Sequence, residues 1–160
     1  ARLDLADLRV HAGLLEQARN DYQELYDDPV LDPDYHARTA LRLGALWAIQ
    51  KQSVPVDLWN KMTLREDYPE EGRLAGRFLT DTVSLDDLPN RLTRAGGPLL
   101  FSVAEWELIK SLSLMSRDTN AARAFLRSAA AKSEPARGWI FGLVAALGVD
   151  ADAPKDPGSR

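Results

Sequence analysis

Apolar residues recur at a helical spacing along most of this chain, and Pro and Gly interrupt them at short intervals. Alternating runs of Val, Ile and Thr are absent, as are the Asn-Gly and Asp-Gly pairs that are typical of β-hairpins. The strongest interruptions are Gly13, Asp27-Asp28-Pro29 and Gly96-Gly97-Pro98. The pattern predicts an all-α protein of about nine helices joined by short turns, as expected of an antiparallel helical stack.

Local capping signals predict where several helices begin. Asp32-Pro33 is an N-cap followed by proline at the first helical position, and Asp118 or Thr119 caps a helix that runs to about residue 132. Residues 84–87 resemble a capping box and predict a helix that ends near residue 95, and residues 100–115 predict one long apolar helix. We expect one helical-repeat domain over residues 1–149 and a flexible polar tail over residues 150–160.

The composition excludes several classes of site. The 160 residues include no cysteine, so disulfides, thiol catalysis and Cys-based zinc sites are excluded. The formal net charge is −4, which disfavours nucleic-acid binding because phosphates need a concentrated cationic face. The longest strongly apolar run, residues 138–149, is too short to span a bilayer. We therefore expect no nucleic-acid partner and no direct membrane span.

Patterns typical of catalytic, metal and cofactor sites are missing. The two histidines, His11 and His36, lie in no H-E-x-x-H or E-x-x-H motif, and the chain has no G-x-S-x-G and no phosphate-binding loop. A Ser-His-Asp site assembled from distant residues stays open. His11 is expected beside a helix C-terminus and His36 at the surface. The acids between residues 27 and 34 lack the pattern of a calcium loop and are explained as caps. The sequence predicts no catalytic residue, no cofactor and no metal.

A weak internal repeat accompanies the helical pattern. In the even-numbered helices, a small or apolar residue is followed by further apolar residues four and seven positions later. These sets begin at Ala18, Leu88 and Ala122, so their spacings of 70 and 34 residues approximate two periods and one period. In the third helix, residues 40–47 (A-x-x-L-G-x-x-W) have the small-then-aromatic spacing that lets two helices approach closely.

At these residues the chain resembles the tetratricopeptide family, whose repeat of about 34 residues carries W-x₂-L-G-x₂-Y and then A-x₃-F. Residues 40–47 match the first part with Ala40 in place of Trp, and Ala18 with Tyr22 match the second. Lys110 and Ser113 depart from the pattern, and HEAT or Sel1-type helix pairs produce part of it too. The resemblance implies antiparallel helix pairs stacked into a right-handed α–α superhelix over residues 1–149.

The resemblance further implies a scaffold or adaptor that binds a peptide or partner protein on the concave face of the superhelix. The implied partner-binding residues lie on the third, fifth and seventh helices: Arg38, Leu41, Ile49, Arg73, Arg77, Glu107, Ser111 and Met115. Arg73 and Arg77 share one helix face and could hold a carboxylate of the partner. The alternative is an ordinary solvated face on which Glu70 pairs with Arg73.

Four tryptophans also bear on where a partner would bind. Trp47, Trp59, Trp106 and Trp139 each lie in an apolar-periodic helix, so packing between repeats is the default interpretation. Trp59 stands beside the polar Asn60-Lys61, within residues 56–63 where the repeat pattern matches poorly, and is expected to be the most exposed.

Two other functions stay open beside the adaptor. The chain could be a helical accessory domain of an enzyme whose catalytic part lies outside this segment, or an architectural or dimerisation array. It has no initiator Met, no signal-peptide pattern, and a content of Ala, Arg and Leu that suggests a high-GC bacterial source. We expect a segment of a longer bacterial protein, located in the cytoplasm or the periplasm.

Overall fold

A computed structural model describes residues 2–51, 53–80, 100–133 and 138–146. Within these ranges the protein is all-helical, and the prediction of an all-α fold is confirmed. The eight described helices are α1 (Arg2–His11), α2 (Leu15–Tyr26), α3 (Pro33–Lys51), α4 (Val56–Leu64), α5 (Glu70–Leu79), α6 (Val103–Leu114), α7 (Thr119–Lys132) and α8 (Trp139–Ala146). The helix predicted over residues 84–95 and the tail predicted over residues 150–160 lie outside the described residues.

Several described helix ends follow from local capping. Gly13 adopts a φ of 79° just after α1, a left-handed conformation that glycine accepts without a steric penalty. The Asp32 carboxylate accepts from the backbone N–H of Asp34 at 2.9 Å, and the Asp118 carboxylate accepts from that of Ala121 at 3.0 Å. Both carboxylates therefore cap the helices predicted to follow them.

Helix α6 begins three residues later than its apolar pattern predicts. Ser102 and Glu105 form a capping box, in which the Glu105 backbone N–H donates to the Ser102 hydroxyl at 3.1 Å. The Ser102 backbone N–H donates in return to the Glu105 carboxylate at 3.2 Å. The helix starts at Val103 because this pair satisfies its first free N–H groups.

Helix α3 occupies the centre of the fold. Most of its residues are buried, and it packs against α2, α4 and α5. Helix α1 packs against α8, so the first and last described helices are in contact. One continuous apolar core runs from Leu3 in α1 to Val144 in α8.

Glycines allow close approach at helix contacts. A methyl group on Gly44 of α3 would overlap the indole of Trp59 in α4. A methyl group on Gly76 of α5 would lie 2.6 Å from the backbone nitrogen of Thr63 in α4. Gly44, the glycine within residues 40–47, therefore lies at a close α3–α4 contact.

Candidate functional site

A buried cluster of charged and aromatic side chains surrounds Arg42 in α3. Its Nε and Nη2 atoms donate to the two carboxylate oxygens of Asp7 in α1 at 2.8 and 3.0 Å. Its Nη1 donates to Glu105 in α6 at 3.2 Å. The Tyr22 hydroxyl donates to Asp7 at 2.6 Å, and the guanidinium carbon lies 4.8 Å from the Trp139 ring centroid. One guanidinium therefore connects elements from both ends of the described fold.

This cluster links helices to one another and lacks the accessibility that a catalytic site needs. Burial opposes the positive charge of Arg42, but Glu105 and Asp7 outweigh burial and raise its pKa above the ordinary value. Burial also raises the pKa of Tyr22. Arg42 is only 7% exposed, and its charge is matched by carboxylates that already accept its donors. No substrate can reach the guanidinium in this arrangement.

A second buried carboxylate, Glu71 of α5, anchors the segment that leads into α6. It accepts from the backbone N–H groups of Leu100 and Phe101 at 2.6 and 3.0 Å and from the indole Nε1–H of Trp106 at 2.9 Å. The three donors satisfy the buried charge without any cation. The carboxylate is thus committed to holding α6 against α5.

His36 lies in a buried pocket between α2 and the α4–α5 turn, so its expected surface position is wrong. Its Nδ1 contacts the Tyr68 hydroxyl, and its Nε2 lies 2.7 Å from the Tyr26 carbonyl oxygen. A carbonyl only accepts, so Nε2 carries the proton and Nδ1 accepts from Tyr68. Arg65 completes the group, with Nη1 3.1 Å from both ring nitrogens, and pairs with Asp67.

The histidine is held neutral in this pocket. Burial is the largest influence and lowers the pKa of His36, and the positive charge of Arg65 acts in the same direction. The hydrogen bond to the Tyr26 carbonyl and the acids Asp67 and Asp27 oppose this shift without cancelling it. Both ring nitrogens already have partners, so His36 is not placed to act as a general base.

Metal ligands are not gathered anywhere in the described part of the chain. Within residues 2–51, 53–80, 100–133 and 138–146, no three His, Cys, Asp or Glu side chains are grouped to hold an ion. None of the helices described there is long and apolar enough to cross a bilayer.

A groove of about 790 Å³ lies between α2 and α4, with part of α3 between them. Its apolar surface comes from Leu43 and Trp47 of α3, from Val54 and Val56 around the α3–α4 turn, and from Leu58 of α4. Trp47 is 42% exposed, and Val54 and Val56 are exposed as well. Three large apolar side chains in contact with water thus lie together in one concave surface.

Trp47 and Trp59, on either side of the α3–α4 turn, differ in exposure, and the difference is the reverse of the predicted one. Trp59 is 1% exposed because its indole fills the space above Gly44. Trp47, one turn further along α3, does not reach this contact and remains half-exposed in the groove. The expectation that Trp59 is the exposed tryptophan is wrong, and Trp47 takes that place.

The polar residues of the groove are unevenly charged. Arg19 of α2 and Lys61 of α4 are its cations, and Asp57 is its acid. The Arg19 Nη2 atom forms an ion pair with Glu16 Oε2 at 2.6 Å, whereas Lys61 makes no ion pair with any residue that the structure describes. Asn20 of α2 is exposed, and its side chain makes no hydrogen bond within the same described ranges.

None of the eight predicted partner-binding residues lines this groove. Leu41 and Ser111 are buried in the core, so their side chains are inaccessible to a partner in this conformation. Ile49 and Met115 pack partly against the core. Arg38 lies over the Tyr35 ring, at 5.8 Å from its centroid.

The charged members of the predicted set have partners of their own. Glu70 pairs with both Arg73, at 2.7 Å, and Arg77. Glu107 pairs with Lys110 on its own helix, α6, and with Lys132 on α7. The Glu70–Arg73 pair that the alternative interpretation of this face predicts is therefore present.

Comparisons of the chain with protein-family models, with curated proteins and with solved structures found no match. A sequence signal for the groove exists in the Val54-Pro55-Val56 segment, where apolar residues continue after α3 has ended. Connecting segments run over the protein surface, and Val54 and Val56 are exposed there.

Proposed function

We propose that this chain is a protein-binding module that holds a short segment of another protein in the groove between α2 and α4. The observation that carries the proposal is the exposed indole of Trp47, which lies in a concave surface beside Val54 and Val56. Tryptophan in such a position is the residue type that most often dominates binding energy in protein interfaces. Covering these three side chains would remove apolar surface from water, and this favours association.

The form of the groove favours a peptide over a small molecule. Pockets for small ligands enclose most of the ligand surface, whereas this groove leaves Trp47 and both valines in contact with solvent. The exposed amide of Asn20 on the α2 wall can donate to and accept from a peptide backbone. An extended segment would therefore find apolar and hydrogen-bonding partners side by side.

We also propose that the helices form a tetratricopeptide-like superhelix. It is supported by the close packing of α3 on α4 at Gly44, the contact that the repeat-like spacing of residues 40–47 implies. The adaptor role proposed from that resemblance is retained, and the binding surface moves from the concave-face residues to the groove around Trp47. The proposal assigns no catalytic role to the chain.

Selection of short random peptides on the immobilised protein tests this function. We expect enriched peptides to bind the wild type and to lose about 30-fold or more in affinity for Trp47→Ala, since truncating an interface hot spot costs about 2 kcal/mol or more. Leu64→Ala is the matched control, because Leu64 is 77% exposed and lies outside the groove. Enriched peptides that bind Trp47→Ala as well as wild type would refute the proposed site.

A further inference from the structure

We infer that the segment held in the groove carries an acidic side chain next to its apolar residues, and that Lys61 pairs with this carboxylate. The inference rests on the proposed function of the groove and specifies the chemistry of its occupant. It follows from the charges of the groove, from the presence of both Trp47 and Lys61 in its lining, and from a polar side chain there that has no partner among the described residues.

The residues that line the groove include more cations than acids, on a chain that is acidic overall. Arg19 and Lys61 are the cations and Asp57 is the acid, whereas the whole chain has a formal net charge of −4. Glu16 pairs with Arg19 at 2.6 Å, so Lys61 is the lining cation without a carboxylate partner among the described residues. A local excess opposite in sign to the whole protein attracts oppositely charged partners and fixes their orientation. The occupant that complements this rim is anionic.

Lys61 is the cation best placed to meet such a partner. It is exposed on α4, and no carboxylate of the described ranges lies within ion-pair distance. Asp57 stands one turn earlier on the same helix and does not pair with it. Arg19, in contrast, already pairs with Glu16 at 2.6 Å. A new carboxylate therefore gains more at Lys61 than at Arg19.

The groove also explains why the acid should accompany apolar residues. The same concavity contains Trp47 and Lys61, so one short segment can cover the indole and reach the ammonium group. A lysine side chain lays its methylenes on apolar surface while its charge stays at the rim. The flexible stem also lets Lys61 follow a carboxylate without the fixed geometry that arginine demands.

A peptide is favoured over a free fatty acid, which shares the combination of carboxylate and apolar chain. Asn20 offers an exposed amide that makes no hydrogen bond to another described residue. A peptide backbone can donate to and accept from this amide, whereas an alkyl chain that covered it would leave it unsatisfied.

Parallel selections of random peptides on wild type, Lys61→Glu and Arg123→Glu test the inference. We expect wild type and Arg123→Glu to enrich apolar peptides with Asp or Glu, and Lys61→Glu to enrich apolar peptides with Lys or Arg. Arg123→Glu is the matched control, because Arg123 is exposed on α7 outside the groove and the change in net charge is the same.

Direct titrations make the expectation quantitative. A synthetic wild-type-selected peptide should bind Lys61→Glu about tenfold more weakly than wild type, since an attractive ion pair at the rim becomes a repulsion. Replacing the acid of that peptide by its amide should weaken binding to wild type and leave binding to Lys61→Glu unchanged or stronger. Added salt should reduce the difference between the two proteins.

The outcomes separate this inference from the proposed function. If selected peptides depend on Trp47 but show no acidic preference and bind Lys61→Glu equally well, the inference is wrong and the groove function stands. If no selected peptide depends on Trp47, both fail. If decanoate binds in a Trp47- and Lys61-dependent manner while no peptide is enriched, the peptide occupant is overturned in favour of an anionic amphiphile.

Discussion

Arg42 in α3 donates two hydrogen bonds to the carboxylate of Asp7 in α1, with Nε–Oδ1 and Nη2–Oδ2 distances of 2.8 and 3.0 Å. The two residues are 35 positions apart, and both are buried. The same guanidinium reaches Glu105 in α6. Arg42 thus fixes how α1, α3 and α6 are placed relative to one another.

Arg42→Met should destabilise the protein by about 3–5 kcal/mol, because it leaves the buried carboxylates of Asp7 and Glu105 without their cation. For a chain of this length the thermal midpoint should fall by roughly 6–20 °C. Arg9→Met breaks the more exposed pair with Asp21 and serves as the control, with an expected loss below about 1 kcal/mol. Equal losses for both variants would contradict the role assigned to Arg42.

Glu71→Gln should cost about 1–3 kcal/mol, because an amide cannot satisfy the three N–H donors that converge on the carboxylate. The backbone amides of Leu100 and Phe101 should also exchange faster with deuterium. Chemical denaturation and amide exchange measured by NMR provide the two readouts. The neighbouring Glu70→Gln changes an exposed side chain and should stay within about 0.5 kcal/mol of wild type. An unchanged deuterium-exchange rate of the Leu100 amide in Glu71→Gln would contradict the role assigned to Glu71.

Gly44→Ala should destabilise the protein by about 1–3 kcal/mol, because the new methyl group overlaps the outer atoms of the Trp59 indole and lies 2.9 Å from Leu58 Cδ2. Trp59→Phe removes those outer ring atoms. Thermal unfolding of Gly44→Ala, Trp59→Phe and the double variant provides a double-mutant cycle. The double variant should be more stable than the sum of the two single losses predicts. Additive losses would mean that the two residues do not share this contact.

Much of the helical fold could be predicted because its signals act within one turn. The carboxylates of Asp32 and Asp118 cap their own helices, and Gly13 ends α1 through its own φ. The start of α6 was less predictable, because Ser102 and Glu105 form a capping box inside what is otherwise a continuous apolar run. In each case the decisive contact spans at most three residues.

The candidate site could not be predicted, because its features depend on contacts between distant residues. Trp47 and Trp59 both stand at apolar-periodic positions, and only the packing of Trp59 on Gly44 decides which one is buried. His36 is buried through Tyr68, which lies 32 residues further along the chain. Helical periodicity identifies an apolar face and does not identify the helix that covers it.

His36 makes the stability of the protein sensitive to acid. Its folded-state pKa is lowered, chiefly by burial, so the folded protein binds fewer protons than the unfolded chain at mildly acidic pH. Stability should therefore fall as the pH drops from about 6.5, the ordinary histidine pKa, and the loss should level off below the folded-state pKa. Above about pH 7 the neutral ring should make stability independent of this group.

His36→Gln should remove this part of the pH dependence, because glutamine retains a donor for the Tyr26 carbonyl and does not titrate. Urea denaturation at pH 7.5 and pH 5.5 measures the difference for wild type, His36→Gln and His11→Gln. The exposed His11 is the matched control, and its variant should keep the wild-type loss of stability on acidification. If His36→Gln loses as much stability between these two pH values as wild type, the acid sensitivity must arise elsewhere, since the buried imidazole would then contribute nothing to it.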